Sequence, residues 1–418
     1  MSKAPSPARR AALALLDHVL AQGRTLAEAG HVLQPLAPAD RAAAQRLASD
    51  TLRWLDRADR LLKPHLHKRP TARVMAILRL GTVELALGGA AHGVVSDCVT
   101  LASTDKRTAS AKGLINAVLR KVAAEAPDRW ASLHIPRLPR WLRHPLNEAW
   151  GPQAVNAMER AHAAGAPLDL TAKGDAAGLA QRLGATLLPT GTVRLAEQGQ
   201  VTALPGYTEG DWWVQDVAAA LPARLLGDVA GKRVLDLCAA PGGKTLQLAA
   251  AGGEVTALDL SEARLERLRE NLARCGLAAQ VVAGDALDHK GQYDAILLDA
   301  PCSATGTIRR HPDLPHVGEG EHISGLIALQ EQMLDHALGL LAPGGRLVFA
   351  TCSLLPDEGE CQIEEVLARH EGLRCIAPEL PGLDPAWHSP EGGLRLRPDY
   401  WSDRGGMDGF YMAALEFA

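Results

Sequence analysis

Between Arg233 and Cys352 five short apolar runs alternate with helical stretches, and this alternation constrains the chain more than any other feature. The runs are RVLDLCA (233–239), EVTALDL (254–260), AQVVAGD (279–285), YDAILLDA (293–300) and GRLVFATC (345–352). Between them lie KTLQLAA, SEARLERLRENLARCG and ISGLIALQEQMLDHALGLLA, which carry apolar residues at helical spacing. Strands that are apolar throughout and separated by helices predict a parallel sheet covered on both faces, hence an α/β fold. Ligands of such sheets sit beyond the carboxyl ends of the strands. Asp236, Cys238, Asp259, Asp285, Asp299, Cys302 and Cys352 all fall at those ends.

The remainder of the 418 residues has a different texture. At about 150 residues per domain the length predicts two or three domains. Residues 1–138 read as all-α: Leu13, Leu16, Val19 and Leu20 recur at helical spacing, as do Val74, Ile77, Leu78, Leu80, Val83 and Leu85. Their last helix, KGLINAVLRKV (112–122), is expected to stop before Ala126-Pro127-Asp128, with Pro127, Pro136 and Pro139 marking a linker. Residues 139–212 read as a small α+β middle region. Helices are expected over RWLRHPLNEAW and GPQAVNAMERAHAAG, and strands over APLDLTAK, TLLPTG and TVRLAE. Residues 213–418 form the α/β domain.

No apolar run approaches the ~20 residues that span a bilayer. The apolar stretch AALALLDHVL is interrupted by Asp17 and His18, so it reads as an amphipathic helix rather than a signal sequence. Seven cysteines without CxxC spacing disfavour a disulfide framework or a zinc site and fit a reducing cytoplasm. The fifteen histidines show no metal-ligand spacing, so no metal is expected, and the chain is expected to be a monomer. The net charge of −4 hides a division. Residues 1–140 hold 22 Lys and Arg against 11 Asp and Glu, leaving 22 against 37 in the rest. A basic half suggests a polyanionic partner; a helical bundle with solvated Arg faces accounts for the same charge.

The first strand-to-helix turn reads Asp236-Leu-Cys-Ala-Ala-Pro-Gly-Gly-Lys-Thr245. Its glycines permit close backbone approach, and the helix that follows presents free N–H groups. A nucleoside-triphosphate loop would need glycine where Cys238 stands, although Gly243-Lys244-Thr245 matches its tail and Asp299 resembles its acidic partner. The second strand ends at Asp259, about twenty residues on, where dinucleotide folds place a ribose-binding carboxylate. Asp285 suits an adenine amino group, or simply caps a turn. Together these features favour an adenosyl ligand; the G-x-G-x-x-G of a dinucleotide site is absent.

LDLCAAPGGKT, LDLS, GDA, LLDAPCSATGT and FATCSLLPDEGE together resemble the S-adenosylmethionine-dependent RNA cytosine-5 methyltransferases of the Nol/Nop/Sun family, in particular its bacterial members acting on small-subunit (16S) rRNA. ARRAALALLDHVL, RLASDTLRWLDRADRLL and GLINAVLRKV resemble the NusB-like RNA-binding domain attached to those enzymes. WVQDVAAALPARLL and GMDGFYMAALE resemble segments flanking the family's catalytic core. Where the family often has Arg-x-Asn after a proline, this chain has Pro167-Leu-Asp-Leu-Thr-Ala-Lys173. The resemblance implies a Rossmann-like class I methyltransferase domain that binds S-adenosyl-L-methionine. The cofactor would be lined by Cys238, Ala239, Ala240, Pro241, Gly242, Gly243 and Lys244, with Asp259 on the ribose and Asp285 at the adenine. Asp299 would lie between cofactor and base. Cys352 matches the family's nucleophile and Cys302 the cysteine that releases product. The partner would be RNA.

Two cysteines also make chemical sense. Carbon 5 of cytosine is a poor nucleophile until a thiolate adds at carbon 6. After methyl transfer the carbon-5 proton must leave before the thiolate is eliminated, which calls for a second group. Asp299, protonated or hydrogen-bonded at cytosine N3, would stabilise the activated ring. Cys98, Cys275, Cys361 and Cys375 read as small buried hydrophobes. A Pro-Cys at position 302 would itself suit attack, as in DNA cytosine methyltransferases, and only the family resemblance assigns attack to Cys352. Trp212 and Trp213 suit either base stacking or packing, and Arg309 and Arg310 either phosphate contacts or a solvated loop. Three function classes follow: an RNA cytosine-5 methyltransferase (on 16S rRNA, or else tRNA or large-subunit rRNA), a P-loop-like NTPase, and a non-catalytic RNA-binding factor.

Overall fold

A computed structural model describes residues 5–196 and 200–418, and the chain divides into two compact units. The first comprises residues 1–164 with 308–319. Its described helices are α1 (Pro7–Gln22), α2 (Pro38–Arg53), α3 (Leu55–Leu62), α4 (Ala72–Ala86), α5 (Ala91–Thr104), α6 (Lys112–Arg129) and α7 (Arg140–Ala164). The apolar residue spacing explains the packing. Leu13 and Leu16 of α1, Leu61 of α3, Cys98 of α5 and Ile115 and Leu119 of α6 are buried in one core. Helix α4 is buried on nearly every side from Val74 to Val83, as expected of a central, mostly apolar helix, and its one buried arginine, Arg79, is paired with Asp59.

One departure from expectation and one expected helix break have local causes. Helix α6 does not stop at residue 122 but runs through Pro127 to Arg129. Proline removes one donor, yet Trp130 N still donates to Ala126 O at 3.0 Å, so the last turn closes around it. Helix α7 bends at Gly151, whose positive φ of 77° redirects the chain before Pro152 opens the second half.

The second unit comprises residues 165–307 and 320–418. It opens with β1 (Leu168–Ala172), α8 (Ala176–Leu183), β2 (Thr186–Leu187), β3 (Val193–Leu195) and β4 (Trp212–Val214), whose strands form an antiparallel sheet in the order β2-β3-β1-β4. Trp212 and Trp213 are buried here, Trp212 Nε1 donating to Pro205 O and Trp213 Nε1 to Gln215 Oε1. That placement answers the stacking alternative: the pair packs.

There follow α9 (Leu221–Leu225), β5 (Arg233–Leu237), α10 (Gly243–Ala250), β6 (Glu254–Asp259), α11 (Glu262–Cys275), β7 (Gln280–Ala283), β8 (Tyr293–Asp299), α12 (Ile323–Gly339), β9 (Leu341–Thr351), α13 (Glu360–Arg369), β10 (Leu373–Ile376), β11 (Leu394–Leu396) and β12 (Phe410–Phe417). The large sheet runs β10-β12-β9-β8-β5-β6-β7, with β11 on β12. Strands β5 to β9 pair in parallel, while β12 adds antiparallel to β9. Successive side chains of β8 and β9 face opposite cores: Leu297 and Val348 pack with α9, Leu298 and Phe349 with α12 and α13. Strand order reverses between β5 and β8, the switch point at which such sheets open a crevice.

Candidate active site

The ends of β5, β6, β8 and β9 converge the residues singled out from the sequence. After β5 the chain turns sharply: Cys238 takes a left-handed φ of 62° and Gly242 a φ of 108°. A side chain at Gly242 would collide with Leu268 Cδ1 of α11, so this glycine lets the turn lie against the helix. Ala240 N donates to Asp259 Oδ2 at 3.1 Å and Ser261 N to Asp259 Oδ1 at 3.0 Å, which ties the turn to the end of β6. Arg264 lies 3.4 Å from the same carboxylate. Leu260, next in sequence, is 76% exposed. At the end of β7, Asp285 caps a short turn, accepting from Leu287 N at 2.9 Å.

Lys244 leaves the first turn of α10 and donates to Asp299 Oδ2 at the end of β8, at 2.7 Å. Burial opposes the ammonium charge, but Asp299 outweighs it through charge and hydrogen bond, so the Lys244 pKa stands above its usual value. Beneath them Asp236 is fully buried, with Thr245 Oγ1 donating to it at 2.5 Å. Burial pushes this carboxyl up to about 7. Burial also pushes Cys238 up to about 12, and the Asp299, Asp259 and Asp236 carboxylates act in the same direction. A thiol so placed stays protonated at neutral pH and contributes shape rather than nucleophilicity.

Asp299 pairs with Ala350 across β8 and β9, so the two strands finish side by side. Cys302 and Cys352 follow closely, and their sulfurs stand 3.5 Å apart. The hydrogen bond to Cys352 pushes the Cys302 thiol well above the usual range, with burial adding to it. The other cysteines are free thiols; Cys98 and Cys275 are buried.

The cysteine loops carry residues that the sequence reading passed over. Glu358 is fully buried and accepts from Ser303 N at 2.8 Å and Gln330 Nε2 at 3.0 Å, and from Ser303 Oγ. Arg395 donates to Ser353 O and forms an ion pair with Glu360. The available signal was the PDEGE segment shortly after the second cysteine motif, three carboxylates within four residues. Arg309 is 1% exposed and belongs to the helical unit with the rest of residues 308–319, so it is not the solvated loop residue considered above; Arg310 is exposed. Among the described residues no helix is long and apolar enough to cross a membrane, and no group of His, Cys, Asp or Glu is placed to hold a metal ion.

Residues 223–416 match the 16S rRNA methyltransferase RsmB/F family, and residues 6–124 match the NusB family. The ribosomal RNA small subunit methyltransferase B of Pseudomonas syringae pv. tomato is 40% identical over 90% of this chain and 89% of its own length. The protein of the same name from Vibrio cholerae serotype O1 is 36% identical over 97% and 96%. Among solved structures, a methyltransferase homolog protein from Pyrococcus horikoshii is 27% identical, with a TM-score of 0.56 over 66% of this chain and 94% of its own.

Proposed function

The chain belongs to the 16S rRNA methyltransferase RsmB/F family, and on that premise we propose that it methylates carbon 5 of a cytosine in 16S rRNA, from S-adenosyl-L-methionine, through a transient Cys352 adduct. The observation that carries this reading is the pair of thiols 3.5 Å apart at adjacent strand ends, close to a partly buried lysine–aspartate pair.

The donor set suits an adenosyl cofactor. A buried carboxylate, Asp259, stands at the end of β6 beside the exposed apolar face of Leu260. A side chain at Gly284 would meet nothing within 4 Å, so the backbone beyond β7 has open space above it. The turn from Cys238 to Gly243, with Asp259 and Asp285, would hold the cofactor. S-adenosyl-L-methionine supplies the electrophilic methyl group.

The chain's own residues do the rest. The Cys352 thiolate adds to carbon 6 of cytosine, and the displaced electron pair makes carbon 5 nucleophilic. Asp299 faces the ring's polar edge and Lys244 holds that carboxylate in place. Once carbon 5 carries the methyl group and Cys302 has released its own proton to solvent, the carbon-5 proton passes to the Cys302 thiolate. The electron pair left behind reforms the ring double bond and expels the Cys352 thiolate. Cys302 is suited to this order of events. The largest influence raising its pKa is the hydrogen bond to Cys352, which is lost while Cys352 is bonded to carbon 6. Cys302 thus keeps its proton before attack and gives it up more readily afterwards.

Small-subunit rRNA as the substrate rests on the relatives' names and on the NusB match. Mapping 5-methylcytosine by bisulfite sequencing in a strain lacking the gene tests it. One unmethylated 16S position, restored by the wild-type gene, is expected; loss confined to tRNA or large-subunit rRNA would contradict it.

A further inference from the structure

Cys302 is bracketed by hydrogen bonds that do not touch its sulfur. Gln330 Nε2, from α12, donates to Pro301 O at 2.8 Å on one side of it. Ser303 N, on the other side, donates to Glu358 Oε1 at 2.8 Å, and Ser303 Oγ donates to Oε2. Gln330 Nε2 also donates to Glu358 Oε1 at 3.0 Å, so one buried carboxylate gathers both sides. Its own backbone is fastened to the other loop, for Thr351 Oγ1 donates to Glu358 O at 2.8 Å. Cys352 has further bonds of its own that do not pass through the Glu358 carboxylate. It directly follows β9, its carbonyl accepts from Gly306 N at 2.9 Å, and Arg395 donates to the next carbonyl, Ser353 O. A buried carboxylate that accepts three hydrogen bonds is a costly group unless each is made. Two of the three come from Ser303 beside Cys302, and the third from Gln330, which also holds the carbonyl of Pro301.

We propose that Glu358 is a positioning residue that fixes the Cys302 loop relative to Cys352, and that it thereby governs release of the methylated RNA rather than attack or cofactor binding. The inference rests on the reading that Cys352 attacks and Cys302 releases. Glu358→Gln keeps the shape but turns an amide donor toward groups that already donate. Ser303→Ala removes one bond and leaves the carboxylate. The Glu358 charge also helps keep Cys302 protonated. The pH at which release sets in should therefore fall in Glu358→Gln, a change that loss of packing alone does not produce.

The test compares full-length wild type, Cys302→Ala, Glu358→Gln and Ser303→Ala on unmethylated 16S rRNA with S-adenosyl-L-methionine. It reads kcat, KM for RNA, cofactor Kd, melting temperature and adduct surviving denaturing electrophoresis. Glu358→Gln should lose roughly tenfold to hundredfold in kcat, the worth of charge-assisted hydrogen bonds to a buried group. Adduct should accumulate toward the Cys302→Ala level, with KM and cofactor Kd within about twofold of wild type. Ser303→Ala should move the same way by less. If Cys302→Ala traps adduct while both other variants turn over normally without it, Glu358 does not position Cys302. If both variants lose cofactor binding and melting temperature together, Glu358 supports the fold only, and the inference is overturned. If Cys302→Ala itself traps no adduct, the assignment of the two cysteines has failed and this inference falls with it.

Discussion

Cys302 Sγ lies 3.5 Å from Cys352 Sγ, although 50 residues separate them in sequence. The closeness follows from register. Asp299 of β8 is paired with Ala350 of β9, and each cysteine comes within three residues of that pair. Two thiols brought together by a parallel ladder, with their flanking serines held by buried charges, are built to share one substrate atom's surroundings. The hydrogen bond between the sulfurs, with burial, raises the Cys302 pKa.

Asp259 tests the cofactor. Calorimetry should detect binding of S-adenosyl-L-methionine, or of its demethylated product, to the wild-type chain and no tight binding of Mg²⁺-ATP. Asp259→Ala should weaken that binding by about tenfold or more, the scale of a charge-assisted hydrogen bond. Because Asp259 also accepts from Ala240 N and Ser261 N, the melting temperature must be followed alongside. Tight Mg²⁺-ATP binding without any response to S-adenosyl-L-methionine would sink the reading.

The basic half tests the RNA contact. Several of its arginines are structural: Arg79 is paired with Asp59, Arg9 with Glu84 and Asp97, and Arg57 lies over Trp54 and Trp130. Lys68, Arg69, Arg120 and Lys121 are exposed. If all four meet phosphates, replacing them with Gln should flatten the log–log dependence of RNA affinity on salt by ~3, at about 0.7 per contact. An unchanged slope would assign these charges to a solvated face.

The sequence was most legible where chemistry and topology coincide. Five apolar runs predicted the parallel core, and the polar residues at their ends include Asp299, Cys302 and Cys352, now side by side. Less was visible where one residue serves a distant partner. Glu358 is one of three acids in PDEGE to which the sequence assigns no role, and only folding puts Gln330 and Ser303 against it. Arg309 suits phosphate contacts or a solvated loop in sequence, because nothing local reveals that residues 308–319 pack into the helical unit and bury it. Helix α6 ran past Pro127 because a proline in a last turn removes one bond without ending the helix.

Asp236 predicts a pH dependence. Its carboxyl is raised from 3.8 to about 7 in the folded chain, mainly by burial. Between those values the folded state binds the proton more tightly than the unfolded chain does. Stability from this group is therefore present at low pH and is lost as pH rises through about 7. Asp236→Asn removes the ionisation. Its stability relative to wild type should climb between pH 5 and 7 by up to ~1.4 kcal/mol per pH unit, read from paired urea titrations. A difference that stays flat over that window would show that Asp236 is not raised.

The central claim is that Cys352 attacks and Cys302 releases. Addition at carbon 6 precedes methyl transfer and elimination follows it, so the two losses should fail at different stages. The most direct measurement incubates Cys352→Ala and Cys302→Ala with unmethylated 16S rRNA and S-adenosyl-L-methionine, then resolves protein and RNA by denaturing electrophoresis. Cys302→Ala should stall as a covalent protein–RNA adduct, while Cys352→Ala should neither turn over nor form one. An adduct from Cys352→Ala and none from Cys302→Ala would reverse the roles, and turnover retained by both without an adduct would remove cysteine catalysis from the account.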